Sequence, residues 1–181
     1  MKMNVKGNDN FQTPQDLYDQ LNRIFNFTLD AACTTTDCKS PKGLYADQGI
    51  DALQTSWEQH RVFCNPPFSR KAAFIEKAYN EVMNGICPIV VMVLPSNCHD
   101  GKAFQKFIKH NFFYETLSGR VAFIDPATQK PMKGNNAGTT IVYFKRDIVR
   151  GGGGGGVVML VKDNKTARYL FLKGMKNERQ I

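Results

Sequence analysis

An asparagine, two prolines and an aromatic, Asn65-Pro66-Pro67-Phe68, follow directly on the short apolar run Arg61 to Cys64. The run reads as a buried strand, and the prolines stop it because neither donates a ladder hydrogen bond and both fix φ near −65°. The strand's carboxyl end then carries an amide side chain, a stiff turn and an aromatic at the edge. Asn65 and a proline carbonyl can accept the N–H groups of a planar, amino-bearing ring while Phe68 lies on its face. Open α/β sheets place ligands at this end of their strands. The alternative is a strand-terminating turn with a packed phenylalanine.

Two acids upstream stand in comparable positions. Phe27 to Ala32 reads as a short strand ending in Asp30-Ala31-Ala32. An acid there, followed by residues small enough for close backbone approach, suits a nucleoside or an amino-acid ammonium; a helix cap is the competing reading. Asp51-Ala52-Leu53 precedes the only tryptophan, Trp57. Its acid can hold an adenine amino group while an apolar neighbour packs on the ring, or it can cap a helix. Five cysteines, Cys33, Cys38, Cys64, Cys87 and Cys98, form no CxxC pair. Cys64 and Cys87 lie in apolar runs, where a free thiol behaves as a small hydrophobe, and Cys33 and Cys38 are spaced too loosely to suggest a metal or a disulfide. No metal is expected.

These residues need elements to position them. A helix is expected after Thr13 as cap and Pro14 at the first helical position, with Leu17, Leu21, Ile24 and Phe25 as its apolar stripe and Asn26 as its end. Gly43 to Tyr45 is a short strand. A second helix follows Ser69 as cap, with Ile75, Ala78, Tyr79, Val82 and Met83 inward and Gly85 closing it. Pro88 to Leu94 is the most apolar stretch and reads as a central strand covered on both faces. Asp100 caps a third helix with Phe104, Phe107 and Ile108 inward and Lys102, Lys106 and Lys109 outward. That lysine row is either a solvated face or a phosphate contact. Strands are expected at Phe112–Leu117, Val121–Ile124 and Thr139–Lys145, around a loop at 125–138 that carries Lys130 and Lys133. The alternation of strand and helix, followed by a run of strands, predicts an α/β fold, mostly parallel with an antiparallel edge and helices on both faces.

The chain of 181 residues is large enough for one cored domain, and 42% hydrophobic with 22% charged residues is ordinary for a soluble protein. No apolar stretch reaches the roughly 20 residues of a membrane span, so a cytoplasmic protein is expected, with a monomer favoured. Formal net charge is +8, which suits a polyanion. Residues 151–181 carry six Lys and Arg against Asp163 and Glu178. Six glycines at 151–156 lack the Lys-Ser/Thr of a phosphate loop and read as a linker between residues 1–150 and a basic β-hairpin-like segment at 157–181.

In their order, these pieces resemble the bacteriophage N6-adenine DNA methyltransferase family, the phage-type Dam proteins. The resemblance rests on Thr13-Pro14 and its helix, Phe27 to Ala32, Tyr45, Asp51-Ala52-Leu53, Trp57, Val62 to Phe68, the strand ending Leu94-Pro95, Gly119 to Phe123, and Thr140 to Phe144. It covers roughly residues 10–146. It implies a class I, Rossmann-like methyltransferase fold that binds S-adenosylmethionine and methylates the N6 amino group of adenine in double-stranded DNA. By the same resemblance, Asp30, Ala31 and Ala32, with Thr13 and Pro14 nearby, meet the amino-acid part of the cofactor. Asp51, Ala52 and Leu53 meet its adenine, and Asn65 to Phe68 take the target base. For such a substrate the basic residues Lys102, Lys106, Lys109, Arg120, Lys130 and Lys133, with the basic tail, are expected to serve the phosphates. The sequence departs from the wider pattern in having Asp-Ala-Ala-Cys in place of a glycine-rich turn, and Ala52 where many relatives have glycine. Methylation of RNA or of a glutamine amide, and a non-catalytic DNA-binding module, are the alternatives.

Overall fold

The structure, a computed structural model, describes Asp9, residues 11–132 and 137–146, and the backbone of residues 158–162 and 167–171. Three helices, α1 (Gln15–Phe25), α2 (Lys71–Met83) and α3 (Lys102–Phe107), accompany strands β1 (Leu29–Cys33), β2 (Lys42–Tyr45), β3 (Arg61–Cys64), β4 (Ile89–Pro95), β5 (Phe113–Thr116) and β6 (Thr139–Phe144). The six strands form one sheet in the order β2-β1-β3-β4-β6-β5. The first four are parallel, and β6 runs antiparallel to both neighbours. The expected mixed α/β sheet with an antiparallel edge is therefore present.

Strand order explains where a ligand can sit. The chain leaves β1 toward β2 on one side and returns to β3 on the other, so a crevice opens at the carboxyl ends of β1 and β3. Asp30 is level with Phe63 in the register of that pair. Continuing the register by two residues sets Ala32 beside Asn65.

All seven residues of β4 are buried because both sheet faces are covered. Val90, Met92 and Leu94 join the core beneath α2 and α3, with Phe74, Ile75, Phe104 and Phe107. Ile89, Val91 and Val93 join a second core against α1, with Leu17, Leu21, Val121 and Phe123. Alternating side chains of one apolar run thus fill two separate cores.

Several sequence expectations need correction. The first helix is capped at Pro14, whose carbonyl accepts the Tyr18 N–H at 3.2 Å, and Thr13 lies one residue too early, buried with no hydrogen-bond partner for its hydroxyl among the described residues. Ser69 does not cap α2; its N–H and hydroxyl both bind the Asp9 carboxylate, and the cap position falls to Arg70. Asp100 does not cap α3, which starts from Gly101. Met83, placed inward by periodicity, is 42% exposed at the end of α2. Val121 to Ile124 is not a sheet strand; Ile124 makes bridges to Gln12 and Pro131, while Val121 and Phe123 pack on the α1 face. Asn26 does end α1, at φ 47° with its N–H on the Asn22 carbonyl, and Gly85 follows α2 at φ 71°.

Strands β7 (Val158–Lys162) and β8 (Ala167–Phe171) pair antiparallel as a separate two-stranded sheet. The glycine run at 151–156 lies outside the described residues.

Candidate active site

A cavity of about 350 Å³ opens at the carboxyl ends of β1, β2 and β3. Thr13, Asp30, Ala31, Ala32, Ala52, Asn65 and Pro67, all singled out from sequence, line it. Pro14 borders a different, smaller cavity beside α1, and Pro66 is buried beneath the turn.

Asp30 is 2% exposed. Its carboxylate accepts the backbone N–H of Ala32 at 3.2 Å and of Lys39 at 3.1 Å. Burial pushes its pKa up to about 7, against the opposing pull of those two N–H donors. The Lys39 ammonium is paired with Asp37 at 2.8 Å and acts on Asp30 only as a nearby charge, the weakest of the influences on it. A desolvated acid held in place by two backbone donors, with no ion-pair partner among the described residues, is a receptor for an ammonium.

Asn65 is half-buried, and its Nδ2 donates to the Phe11 carbonyl at 2.7 Å. A carbonyl only accepts, so this bond decides which way the amide faces. Oδ1 is left as an acceptor with no partner among the described residues. The ring of Phe68 is half-buried and packs edge-on against Phe11, centroids 6.1 Å apart. One segment, Phe11, therefore orients both the amide and the aromatic of the turn.

The Asp51 turn is placed differently from the other candidates. Asp51 is exposed, accepts the Leu53 N–H at 3.1 Å, and pairs with Arg70 at 3.0 Å. The Leu53 N–H, and after it the Arg70 guanidinium, hold its carboxyl below the usual range. Ala52 and Ile50 reach the cavity wall, whereas Asp51 and Leu53 do not. Trp57 anchors this turn from beneath, fully buried, with Nε1 donating to the Ala52 carbonyl at 3.1 Å.

Sequence reasoning missed Asp47 and Arg70. Asp47 follows β2 directly in a single 3₁₀ turn and lines the cavity. Both its oxygens accept from Thr35, whose hydroxyl above all holds this acid below the ordinary carboxylate range. The available signal was an acid seventeen positions after Asp30 at the end of the next strand, the place where Rossmann folds grip a ribose.

None of the basic residues singled out from sequence and described by the structure lines the cavity. Lys102 and Lys106 are exposed, while Lys109 is half-buried and donates to Gln105 at 3.0 Å. Because α3 leads from the end of β4 back to the start of β5, Lys102 stands at the cavity's end of the sheet and Lys109 toward the opposite edge. Arg120 and Lys130 are exposed, and Lys130 shares a turn with Pro126, which lines the cavity. Lys133 lies outside the described residues.

The sequence model of the DNA N-6-adenine-methyltransferase (Dam) family matches residues 1–171. The chain belongs to the Dam family. Among curated proteins, the DNA N-6-adenine-methyltransferase of Escherichia phage T1 is 26% identical over 159 residues, covering 79% of this chain. The chain spans 65% of that relative's length. The Dam family match encloses every residue that lines the cavity, from Asp9 to Pro126. No helix among the described residues is long and apolar enough to cross a membrane.

Proposed function

We propose that this Dam family member transfers a methyl group from S-adenosylmethionine to the N6 amino group of adenine in DNA. The observation that carries the reading is Asn65, whose amide is held by Phe11 with no partner for its oxygen among the described residues, in the wall of the same cavity as the buried Asp30.

The donor set fits the cofactor. Asp30 supplies a carboxylate for its ammonium, beside the backbone of the small residues Ala31 and Ala32, with the Thr13 hydroxyl, which has no partner among the described residues, in the same wall. Asp47 supplies acceptors for ribose hydroxyls. The Asp51-Ala52-Leu53 turn borders the adenine end, Ala52 on the wall and Asp51 steadied at the rim by Arg70. When bound, the cofactor supplies an electrophilic methyl on a sulfonium.

Adenine's exocyclic nitrogen is a poor nucleophile because its lone pair is delocalised into the ring. Asn65 Oδ1 and the Pro66 carbonyl accept its two N–H bonds, which favours tetrahedral geometry and leaves the lone pair for the methyl. Pro67 keeps the Pro66 carbonyl from drifting, since its ring fixes the following φ. The contribution is alignment together with fixed dipoles. Taking the base out of the duplex costs a few kcal/mol, and stacking on Phe68, worth about 1–3 kcal/mol per base, offsets part of it. Lys102, Lys106, Lys109, Arg120, Lys130 and Lys133 provide phosphate contacts that position the DNA without reading its sequence.

The test is transfer of labelled methyl from S-adenosylmethionine to plasmid DNA, with N6-methyladenine mapped by sequencing. Asn65→Ala is expected to abolish transfer while cofactor affinity, measured by calorimetry, stays within a few-fold. Unchanged turnover in that variant would sink the mechanism.

A further inference from the structure

We propose that Asp30, Cys33 and Cys38 form a binding site for a thiophilic divalent metal ion of the zinc class, and that filling it denies Asp30 to the cofactor's ammonium. The second half rests on the function proposed above; the first does not.

The two sulfurs and a carboxylate oxygen of Asp30 lie within 4.8 Å of one another. Cys33 ends β1, and the following loop folds Cys38 back beside it, so two thiols without a CxxC spacing meet in space. Gly43 on β2 makes the room. It is level with Asp30 in the sheet, and a Cβ there would stand 2.6 Å from Cys33 Sγ and 2.5 Å from Cys38 Sγ. The sulfurs make only weak thiol contacts: Cys33 S–H points to the Asp30 carbonyl at 3.7 Å and Cys38 S–H to the Ser40 carbonyl at 3.4 Å, while the two thiols also meet each other and the Tyr45 hydroxyl meets Cys38.

Tetrahedral zinc takes sulfur at about 2.3 Å and carboxylate oxygen at about 2.0–2.2 Å, which sets ligand atoms roughly 3.5–3.8 Å apart. No pair of the three atoms has to close by more than about 1.3 Å to reach that spacing, and the fourth position falls to water from the adjoining cavity. On binding, two S–H bonds break, two metal–sulfur bonds form and two protons pass to solvent, with no change of oxidation state. Thiolates select such ions over magnesium or calcium. Asp30 and Cys33 also line the cavity, so metal and ammonium compete for one carboxylate.

Cobalt(II) titrated into the reduced, metal-free full chain should give a thiolate charge-transfer band saturating at one equivalent. Cys38→Ser, at a half-buried position, should weaken that binding at least tenfold with an unchanged melting curve in the absence of metal. Absence of the band, or an equal band in Cys38→Ser, overturns the site. Saturating S-adenosylmethionine should lower cobalt affinity several-fold; bound cofactor with unaltered cobalt affinity overturns the shared acid. Because the band is read without cofactor, failure of the metal-free chain to bind S-adenosylmethionine refutes the functional reading and the competition, while the band alone decides the metal site.

Discussion

Asn65 and Gly43 show how differently single residues announce themselves. Asn65 is legible because its neighbours are its reason: two prolines after an apolar strand fix where the amide must emerge. Nothing in the sequence around Gly43 marks it, since Lys42 to Tyr45 reads as any short strand. Its meaning comes from Cys33 and Cys38, which converge on the space its missing side chain leaves. Gly43→Ala would ordinarily suit a strand, yet here it is expected to destabilise the protein by about 1–3 kcal/mol through overpacking. Urea unfolding of the reduced protein measures this, and a gain in stability would contradict the packing described. Asp47 and Arg70 were overlooked for a related reason. Each gains its place only when β2 and the turn after β3 are brought to one cavity wall.

At the scale of elements, helix stripes and apolar strands were readable, and helix starts were not. Thr13, Ser69 and Asp100 are good capping residues by type, yet none occupies a cap. Ser69 is taken by Asp9, a tertiary partner that outbids the local bond, whereas Thr13 sits in the cavity wall one residue before the cap position. Val121 to Ile124 has the composition of a strand, but β6 is flanked by β4 and β5, and the segment instead covers the α1 face. The edge formed by β1, β2 and β3 also carries a titrating joint. His60 meets Thr28 Oγ1 at 3.0 Å and the Lys42 ammonium at 3.3 Å. Partial burial, and then Lys42, lower its pKa. The unfolded chain therefore takes up a proton at higher pH than the folded one. Stability from neutral His60 is complete above about pH 6.5 and declines as pH falls below it toward the lowered folded value. Melting temperature should drop with acidification through this window, and less steeply in His60→Gln. A parallel fall in both proteins would assign the effect elsewhere.

For the whole molecule, a net charge of +8 governs association more than folding. DNA affinity is expected to fall steeply with salt. Lys102 lies at the cavity's end of the sheet, so Lys102→Gln should reduce the log–log salt slope by about one while weakening all DNA sequences alike. Lys109, half-buried and bound to Gln105 toward the far edge, should change the slope less when replaced by glutamine. Filter binding across a salt series compares the two, and a larger effect at Lys109 would place the DNA on another face.

The sequence by itself determined the fold class, the two-sided burial of β4 and the Asn-Pro-Pro-Phe turn. These follow from hydrophobic period and from proline's fixed φ, which act over a few neighbouring residues. Tertiary structure decided which groups face one another. It buried Asp30 on two backbone donors, moved Asp51 to an ion pair on the rim, put Asp47 in the wall and brought Cys33 beside Cys38. The physical reason is that strand order, and not spacing along the chain, sets which side chains share a cavity, and that order emerges only when β1 pairs with β2 and β3 together.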